Sequence, residues 1–221
     1  GEIARNLMEG RGFAVRWMGA EGLTSQQAPI YPALVALFYR LFGIQTPESL
    51  LALQLFQALL GGLTAIVAML LARDLLGGRP LVGWLSGIGT AVYPTLVYAA
   101  TQVQVAALVT LLVLVVLWTA VRAARVGTWT FAVGCGFASG ILVLTDPILG
   151  LVAFVALLVV AQRSFGRAKS LWSLSLPAVV LGTSMIVVAP WMMRNYQVHG
   201  ELVFVKSTFG YAFWQGNHPQ S

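Results

Sequence analysis

The sequence has few charged residues and a single cysteine. Charged side chains make up 9% of the 221 residues, whereas an ordinary soluble domain carries about 25%. Because Cys135 has no second cysteine to pair with and lies in an apolar run, a disulfide framework is excluded. The cations lie at the ends of apolar runs and form no basic stripe, so the net charge of +6 does not indicate nucleic-acid binding.

Long apolar runs are what the chain has in abundance, with 58% hydrophobic residues and a mean hydropathy of +0.84. A helix needs roughly 20 apolar residues to cross a bilayer core of about 30 Å, and only helices satisfy their own backbone there. Six runs have this character: residues 50–72, 81–100, 103–120, 130–144, 148–161 and 171–192. The fourth and fifth are short and are joined by a tight turn. The sequence therefore predicts an all-α, polytopic helical membrane protein with six transmembrane helices in residues 48–192.

The charge of the connecting loops alternates along the chain. The loops after the first, third and fifth runs hold seven cations and one acid, whereas the remaining segments hold six of each. By the positive-inside rule, we expect these three loops to face the cytoplasm. Residues 1–47 and 193–221, and both ends of the chain, then lie on the extracytoplasmic face. Because the chain opens and closes in mid-pattern, we expect it to be a fragment of a longer protein.

Each outer segment has a pattern of its own. Residues 2–8 place apolar side chains at helical spacing, and residues 29–42 are apolar and aromatic but too short to span, so we expect two interfacial helices in residues 1–47. In the tail, residues 201–206 alternate like a short strand. Residues 208–217 then set aromatic rings between glycines. Such rings suit either an aromatic belt at the membrane surface or the stacking of sugars.

Few polar groups interrupt the apolar runs. Of the glycines within these runs, we expect five to allow close helix packing: Gly61, Gly62, Gly134, Gly136 and Gly140. A transporter or flippase for lipid-linked saccharides needs polar groups along its path, and the candidates are Gln54, Gln57, Gln102, Gln104 and Asp146. That function class stays open, as does a non-catalytic membrane scaffold, which would not need ordered outer motifs.

Four stretches carry a resemblance to a known family: residues 2–13, 28–43, 59–77 and 190–217. The last, which begins Pro-Trp-Met-Met-Arg-Asn-Tyr at residue 190, is the most specific. On these stretches the chain resembles the bacterial dolichyl-phosphate-mannose–protein mannosyltransferase-like family of C-type glycosyltransferases, which is related to the lipid A aminoarabinose transferases. The resemblance implies a C-type bundle with outer-loop interfacial helices.

The resemblance also implies an activity. Members move a sugar from a polyprenyl-phosphate carrier to a lipid, glycan or protein acceptor on the extracytoplasmic face of the bacterial inner membrane. The transfer is inverting, with a carboxylate of the first outer loop as general base, and a divalent metal is needed only in some branches. The family's catalytic Asp would fall before Gly1, so the catalytic residue of this chain is unknown. Apart from the sugar donor, the expected partners are membrane lipids.

Candidate binding residues follow from the same resemblance. Cationic or amide donors should meet the lipid phosphate at the membrane surface. The donor-binding candidates are Arg5, Gln27, Tyr31, Arg194 and Asn195, and the candidates for sugar or acceptor binding are Tyr211, Trp214 and Asn217. Gln27, followed by Ala-Pro, stands where the aminoarabinose branch carries Lys before a Pro-Pro pair, which leaves that contact without a charge.

Several of these residues have a simpler interpretation. Arg194 ends an apolar run and could snorkel to the interface. Arg5 could pair with Glu2 or Glu9 at helical spacing. Asp146 could be catalytic, hold a metal or cap the helix that follows it, and the proline after it favours the cap. The two histidines lack any partner at metal-ligand spacing, so we expect no zinc site.

Overall fold

The computed structural model describes residues 1–17, 20–167, 174–208, 213–214 and 216–217. The described secondary structure is almost entirely helical, which confirms the all-α prediction. The chain divides into two compact units. Unit 1 consists of Gly1–Ser49 with Ala189–Ser221, and unit 2 consists of Leu50–Val188.

Unit 1 begins with helix α1 (Glu2–Met8), continues with the antiparallel strands β1 (Ala14–Trp17) and β2 (Ala20–Leu23), and then forms helix α2 (Ile30–Phe42). Helix α1 packs on α2. Helix α2 buries Val35, Ala36 and Tyr39. Both predicted short helices are confirmed as helices. The strand pair was not predicted.

The predicted strand over residues 201–206 is wrong, because none of these residues lies in a strand. Side chains bind its carbonyls instead. Trp191 Nε1 donates to the carbonyl of Val205 at 3.0 Å, and the Asn195 amide donates to the carbonyls of Val203 and Val205. The alternating pattern therefore marks a segment whose backbone is bonded by side chains of a neighbouring helix.

Unit 2 contains most of the long helices. In chain order these are α3 (Pro47–Leu75), α4 (Pro80–Ala91), α5 (Pro94–Thr101), α6 (Ala106–Val126), α7 (Trp129–Thr145), α8 (Gly150–Arg167) and α9 (Ser175–His199). The first residues of α3 and the last turns of α9 belong to unit 1. Helix α6 packs on both α7 and α8, around a core that includes Val116, Cys135 and Val160.

Four described helical segments are long and apolar enough to cross a membrane: α3, α6, Pro147–Phe165 and α9. The run predicted at residues 81–100 is not one straight helix, because α4 and α5 meet at a bend of 46°. Pro94 lacks a backbone N–H and begins the new helix there. Helix α7, with 17 residues, lies at the short end of the range for a span. The count of six spans therefore stays a prediction.

Two glycines of α7 do bring helices together. A Cβ placed on Gly136 would lie 2.4 Å from the backbone oxygen of Val180, and one on Gly140 would lie 2.6 Å from Cβ of Val187. The prediction of close packing is confirmed at these two positions. It is wrong for Gly61 and Gly62, where a Cβ would meet no described atom within 4 Å, and Gly134 has only an ordinary contact.

Candidate functional site

A hydrogen-bonded cluster of polar side chains lies inside unit 1. We call it the polar hub, and its members are Thr24, Ser25, Arg194, Asn195 and His199. Two members follow β2, and the other three lie on the last turns of α9. Ser25 and Asn195 are both 0% exposed. The hub therefore joins two segments that lie about 170 residues apart in the sequence.

Ser25 is the residue that Arg194, Asn195 and His199 all contact. Its hydroxyl donates to Oδ1 of Asn195 at 2.7 Å and accepts from Nη1 of Arg194 at 3.0 Å. Its oxygen also lies 2.9 Å from Nε2 of His199. Because the hydroxyl has one proton, which Asn195 accepts, Nε2 of His199 must carry a hydrogen and donate it. A nucleophilic serine needs a base that accepts its proton, so this arrangement holds structure and does not activate Ser25.

Arg194 is bound by backbone groups. Its Nη1 donates to the carbonyl of Thr24 at 2.7 Å, and its Nη2 donates to the carbonyl of Phe13 at 3.2 Å. The guanidinium lies over the rings of Trp191 and Phe13, with 4.8 and 5.6 Å to the ring centroids. The sequence offered a choice between snorkelling and phosphate binding, and the structure adds a third role, in which Arg194 clamps the segments on either side of the strand pair. Direct contact with a phosphate stays a prediction.

Asn195 is occupied on both sides of its amide. Its Nδ2 donates to the carbonyls of Val203 and Val205 at 3.1 and 3.3 Å, while its Oδ1 accepts from Ser25. A fully buried amide with these partners does not face solvent. The structure therefore places Asn195 as an internal staple, and its predicted contact with the donor stays untested.

The segment after β2 presents Gln27. The backbone N–H of Gln26 donates to Oγ1 of Thr24 at 3.1 Å, and the carbonyl of Ser25 accepts from the N–H of Ser207 at 2.9 Å. Ala28, on the other side, is buried. Gln27 itself is exposed, between neighbours that are hydrogen-bonded on one side and buried on the other.

Arg5 lies on the exposed side of α1. The acids with which it was expected to pair have other partners, since Glu2 accepts from the N–H of Arg16 at 2.9 Å and Glu9 forms an ion pair with Arg11. That simpler interpretation of Arg5 is therefore wrong. An exposed guanidinium on a short helix is suited to an anion.

The remaining candidates are described unequally. Tyr31 is half-buried at the start of α2. Trp214 is 56% exposed, and Asn217 donates from Nδ2 to the carbonyl of Phe213 at 2.8 Å. Tyr211 lies outside the described residues. Of the eight candidates, Arg194 and Asn195 are joined by a direct hydrogen bond of 3.2 Å.

Asp146 is a helix cap. Its carboxylate accepts from the N–H of Ile148 at 3.3 Å at the start of the 3-10 turn Pro147–Leu149, which confirms the capping interpretation. Within the described ranges, no group of three His, Cys, Asp or Glu side chains could hold a metal ion.

Sequence reasoning missed Thr24 and Ser25 and considered His199 only as a metal ligand. The local signal was weak, because two short polar residues before Gln26 are typical of any loop. Their importance comes from partners on α9, far away in the sequence. A single sequence does not reveal such pairs, whereas Trp191, Arg194 and Asn195 stood out through the pattern around them.

A comparison with known families gives a clear match. The model of the family described as dolichyl-phosphate-mannose-protein mannosyltransferase matches residues 26–193, which is more than half of the chain. The chain belongs to this family. The resemblance inferred from the sequence is thereby confirmed, and the protein is an integral membrane glycosyltransferase of the mannosyltransferase type. No curated protein and no solved structure matches the chain.

The range matched by the family model contains all of unit 2 and parts of unit 1. The matched range begins at Gln26, in the segment that presents Gln27, and includes Tyr31. It ends at Met193, one residue before Arg194. The family match therefore covers two of the donor-binding candidates, while all five residues of the polar hub lie just outside it.

Proposed function

We propose that the protein transfers a glycosyl group from a polyprenyl-phosphate carrier to an acceptor on the extracytoplasmic face of a bacterial inner membrane. The family match over residues 26–193 is the observation that carries this proposal. Members of the family use a polyprenyl-phosphate sugar as donor and a lipid or a protein as acceptor. The lipid carrier suits a chain with several helices long enough to span the bilayer.

The bond changes define what the site must supply. An acceptor hydroxyl attacks the anomeric carbon, and its proton passes to a general base. The bond between that carbon and the phosphate oxygen breaks, and polyprenyl phosphate leaves with the electron pair. Negative charge develops on the leaving phosphate, so hydrogen-bond donors at the membrane surface lower the barrier. Gln27 and Arg5 are exposed donors in unit 1 that suit this role.

The exposed face of α2 supports its placement at the membrane surface. Val35, Ala36 and Tyr39 are buried, whereas Leu37 and Leu41 are more than half exposed one turn apart. An amphipathic helix with an unpartnered apolar face suits the boundary between headgroups and acyl chains. Together with the alternating loop charges, this favours extracytoplasmic positions for residues 1–47 and 193–221.

The polar side chains of unit 2 favour a transferase over a transporter. Gln54 donates to the carbonyl of Thr101 at 2.8 Å, and Gln57 donates to the carbonyl of Gln104 at 2.7 Å. Gln54 thus links α3 to the last residue of α5, and Gln57 links α3 to the segment that follows α5. A translocation path would instead need such groups to face its substrate.

The donor test uses the full-length protein in proteoliposomes, supplied with an envelope extract as acceptor source. Polyprenyl phosphates carrying mannose, glucose or galactose are compared with the matching nucleotide sugars. We expect release of free polyprenyl phosphate from at least one lipid donor and no turnover of nucleotide sugars. Turnover of a nucleotide sugar without a lipid carrier would contradict the proposal, as would movement of an intact lipid-linked sugar between leaflets.

The orientation test uses single cysteines in a background with Cys135 replaced by alanine. Leu76 and Glu201 are exposed positions near the ends of α3 and α9, respectively. A membrane-impermeant thiol reagent added to intact cells should label Glu201→Cys and leave Leu76→Cys unlabelled until the cells are opened. Labelling of Leu76→Cys in intact cells would reverse the proposed orientation.

A further inference from the structure

The two residues at the start of the segment that presents Gln27 form several hydrogen bonds through their backbone and side chains. The carbonyl of Thr24 accepts from Arg194, its side chain accepts from the N–H of Gln26, and its own N–H donates to the carbonyl of Phe13. The next residue, Ser25, bonds through both its hydroxyl and its carbonyl. After the exposed Gln27 the chain is buried again. The backbone is therefore hydrogen-bonded before Gln27 and buried after it.

An amide needs this fixation more than a charged group does. A hydrogen bond weakens steeply once its length or angle departs from the ideal, whereas the attraction between two charges falls only with the first power of distance. A misplacement of about 1 Å in a positioned group costs up to about a hundredfold in rate or binding. Gln27 offers a neutral amide to a phosphate, so its usefulness depends on where the backbone holds it.

We propose that Ser25 is a positioning residue, which through the polar hub holds the backbone of residues 24–28 so that the Gln27 amide meets the phosphate of the lipid donor. Ser25 lies at the centre of the polar hub, because its hydroxyl contacts Arg194, Asn195 and His199. It is fully buried and two residues from Gln27, so it acts without touching the donor. This inference rests on the proposed function.

The test is a double-mutant cycle in the full-length protein, with KM for the polyprenyl-phosphate sugar and kcat measured separately. Ser25→Ala and Gln27→Ala should each raise the donor KM about threefold to tenfold, in line with the loss of one hydrogen bond. Both should also lower kcat, because the same amide faces the charge that develops on the leaving phosphate. The double variant should be no worse than Gln27→Ala, because Ser25 acts through that amide. Gln27→Lys should restore the donor KM in the Ser25→Ala background, since a long charged side chain tolerates a displaced backbone.

Ser49→Ala is the matched control. Ser49 is also a 0% exposed serine of unit 1, and its hydroxyl donates to the carbonyl of Thr46 at 2.8 Å, away from the hub. The Ser49→Ala variant should lose about as much thermal stability as Ser25→Ala does, but its donor KM should not change. If Ser25→Ala does not accumulate, Ser25→Cys, which keeps a weak donor, serves in the same cycle with a smaller first effect.

Three results would overturn the inference. Independent effects of Ser25 and Gln27 that multiply in the double variant would show that Ser25 does not act through Gln27. An equal rise in donor KM for Ser49→Ala would show a general effect of destabilisation. Absence of lipid-donor turnover by the wild-type protein would overturn the proposed function and this inference with it, whereas wild-type turnover with a multiplicative cycle overturns this inference alone.

Discussion

Different kinds of contact stabilise the inside of unit 1 and the inside of unit 2. In unit 1, side chains of α9 reach backbone carbonyls in the segments around the strand pair and in residues 203–205. In unit 2, small residues let helix backbones touch, as at Gly136 and Gly140. The first kind depends on donors that reach particular carbonyls, and the second depends on the absence of a side chain.

The difference follows from what each backbone needs. Long helices satisfy their own hydrogen bonds, and lipid gives no hydrophobic driving force between them, so close packing is the main source of helix association. The short strands and loops of unit 1 leave carbonyls without a ladder partner, and these require donors from elsewhere. Arg194 and Asn195 supply several of them. Substitutions should therefore act through volume in unit 2 and through lost donors in unit 1.

The largest expected effect is from Gly136→Ala in unit 2. The added Cβ would lie 2.4 Å from the backbone oxygen of Val180 and 2.8 Å from Cβ of Thr183, and neither atom can move as a flexible side chain would. We expect a loss of at least about 3 kcal/mol of stability, the upper end for overpacking, or no accumulation of folded protein. The measurement is the fraction of protein that stays monodisperse in detergent after heating.

Gly134→Ala is the control on the same helix. Its new Cβ would meet Cγ2 of Thr119 at 3.8 Å, an ordinary contact, and alanine is the better helix former. The control should be as stable as the wild type or slightly more so. Equal behaviour of the two variants would show that the close approach at Gly136 does not hold unit 2 together.

The share of the structure that can be predicted from the sequence differs between the two units. Apolar runs and loop charges predicted the membrane class and most of the helix positions, because composition alone decides whether a helix can lie in lipid. The bend before Pro94 was missed, although the proline was visible. In unit 1, the first short helix was predicted from helical spacing and the second from an apolar, aromatic run. The strand pair and Ser25 were not, since both depend on partners outside the local window.

Asn195→Ala should have the largest effect in unit 1. The variant removes the donor to the carbonyl of Val203, one of the two donors to the carbonyl of Val205 and the acceptor of the Ser25 hydroxyl. Leaving buried groups without partners costs about 1–3 kcal/mol, and we expect the upper half of that range. Hydrogen exchange should rise at the N–H of Ser207, which donates to the carbonyl of Ser25.

Asn217→Ala provides the comparison for this variant. Asn217 is exposed, and its described bond joins it to Phe213 within the same short segment. We expect no measurable change in the exchange of Ser207. If Asn195→Ala exchanges at Ser207 as slowly as the wild type does, the staple at Asn195 is not what holds this segment.

Arg194→Lys separates a clamp from a snorkelling cation. Lysine keeps the charge but loses the planar fork that reaches the carbonyls of Thr24 and Phe13 together. We expect a loss of about 1–2 kcal/mol of thermal stability, measured without any donor lipid, in line with one or two hydrogen bonds. Arg40→Lys, at an exposed position of α2, should cause no loss. Equal stability of Arg194→Lys and wild type would favour snorkelling, because either cation reaches the interface.

The smallest expected effect concerns Asp74, a charged residue that forms polar contacts inside unit 2. Asp74 accepts from Nε1 of Trp118 at 2.9 Å and lies 3.6 Å from Nη1 of Arg122. It stands in the last turn of α3, where a negative charge opposes the helix dipole. Asp74→Asn keeps an acceptor for Trp118, relieves that opposition and loses an ion pair between two partly exposed groups, which is worth at most about 1 kcal/mol. The two changes have opposite signs, so we expect a net change within about 0.5 kcal/mol.

Asp74→Leu leaves the indole N–H without its acceptor and should cost about 1–3 kcal/mol. Thermal unfolding of both variants in detergent decides between charge and hydrogen bond, and an equal loss in the two would assign the contribution of Asp74 to its charge.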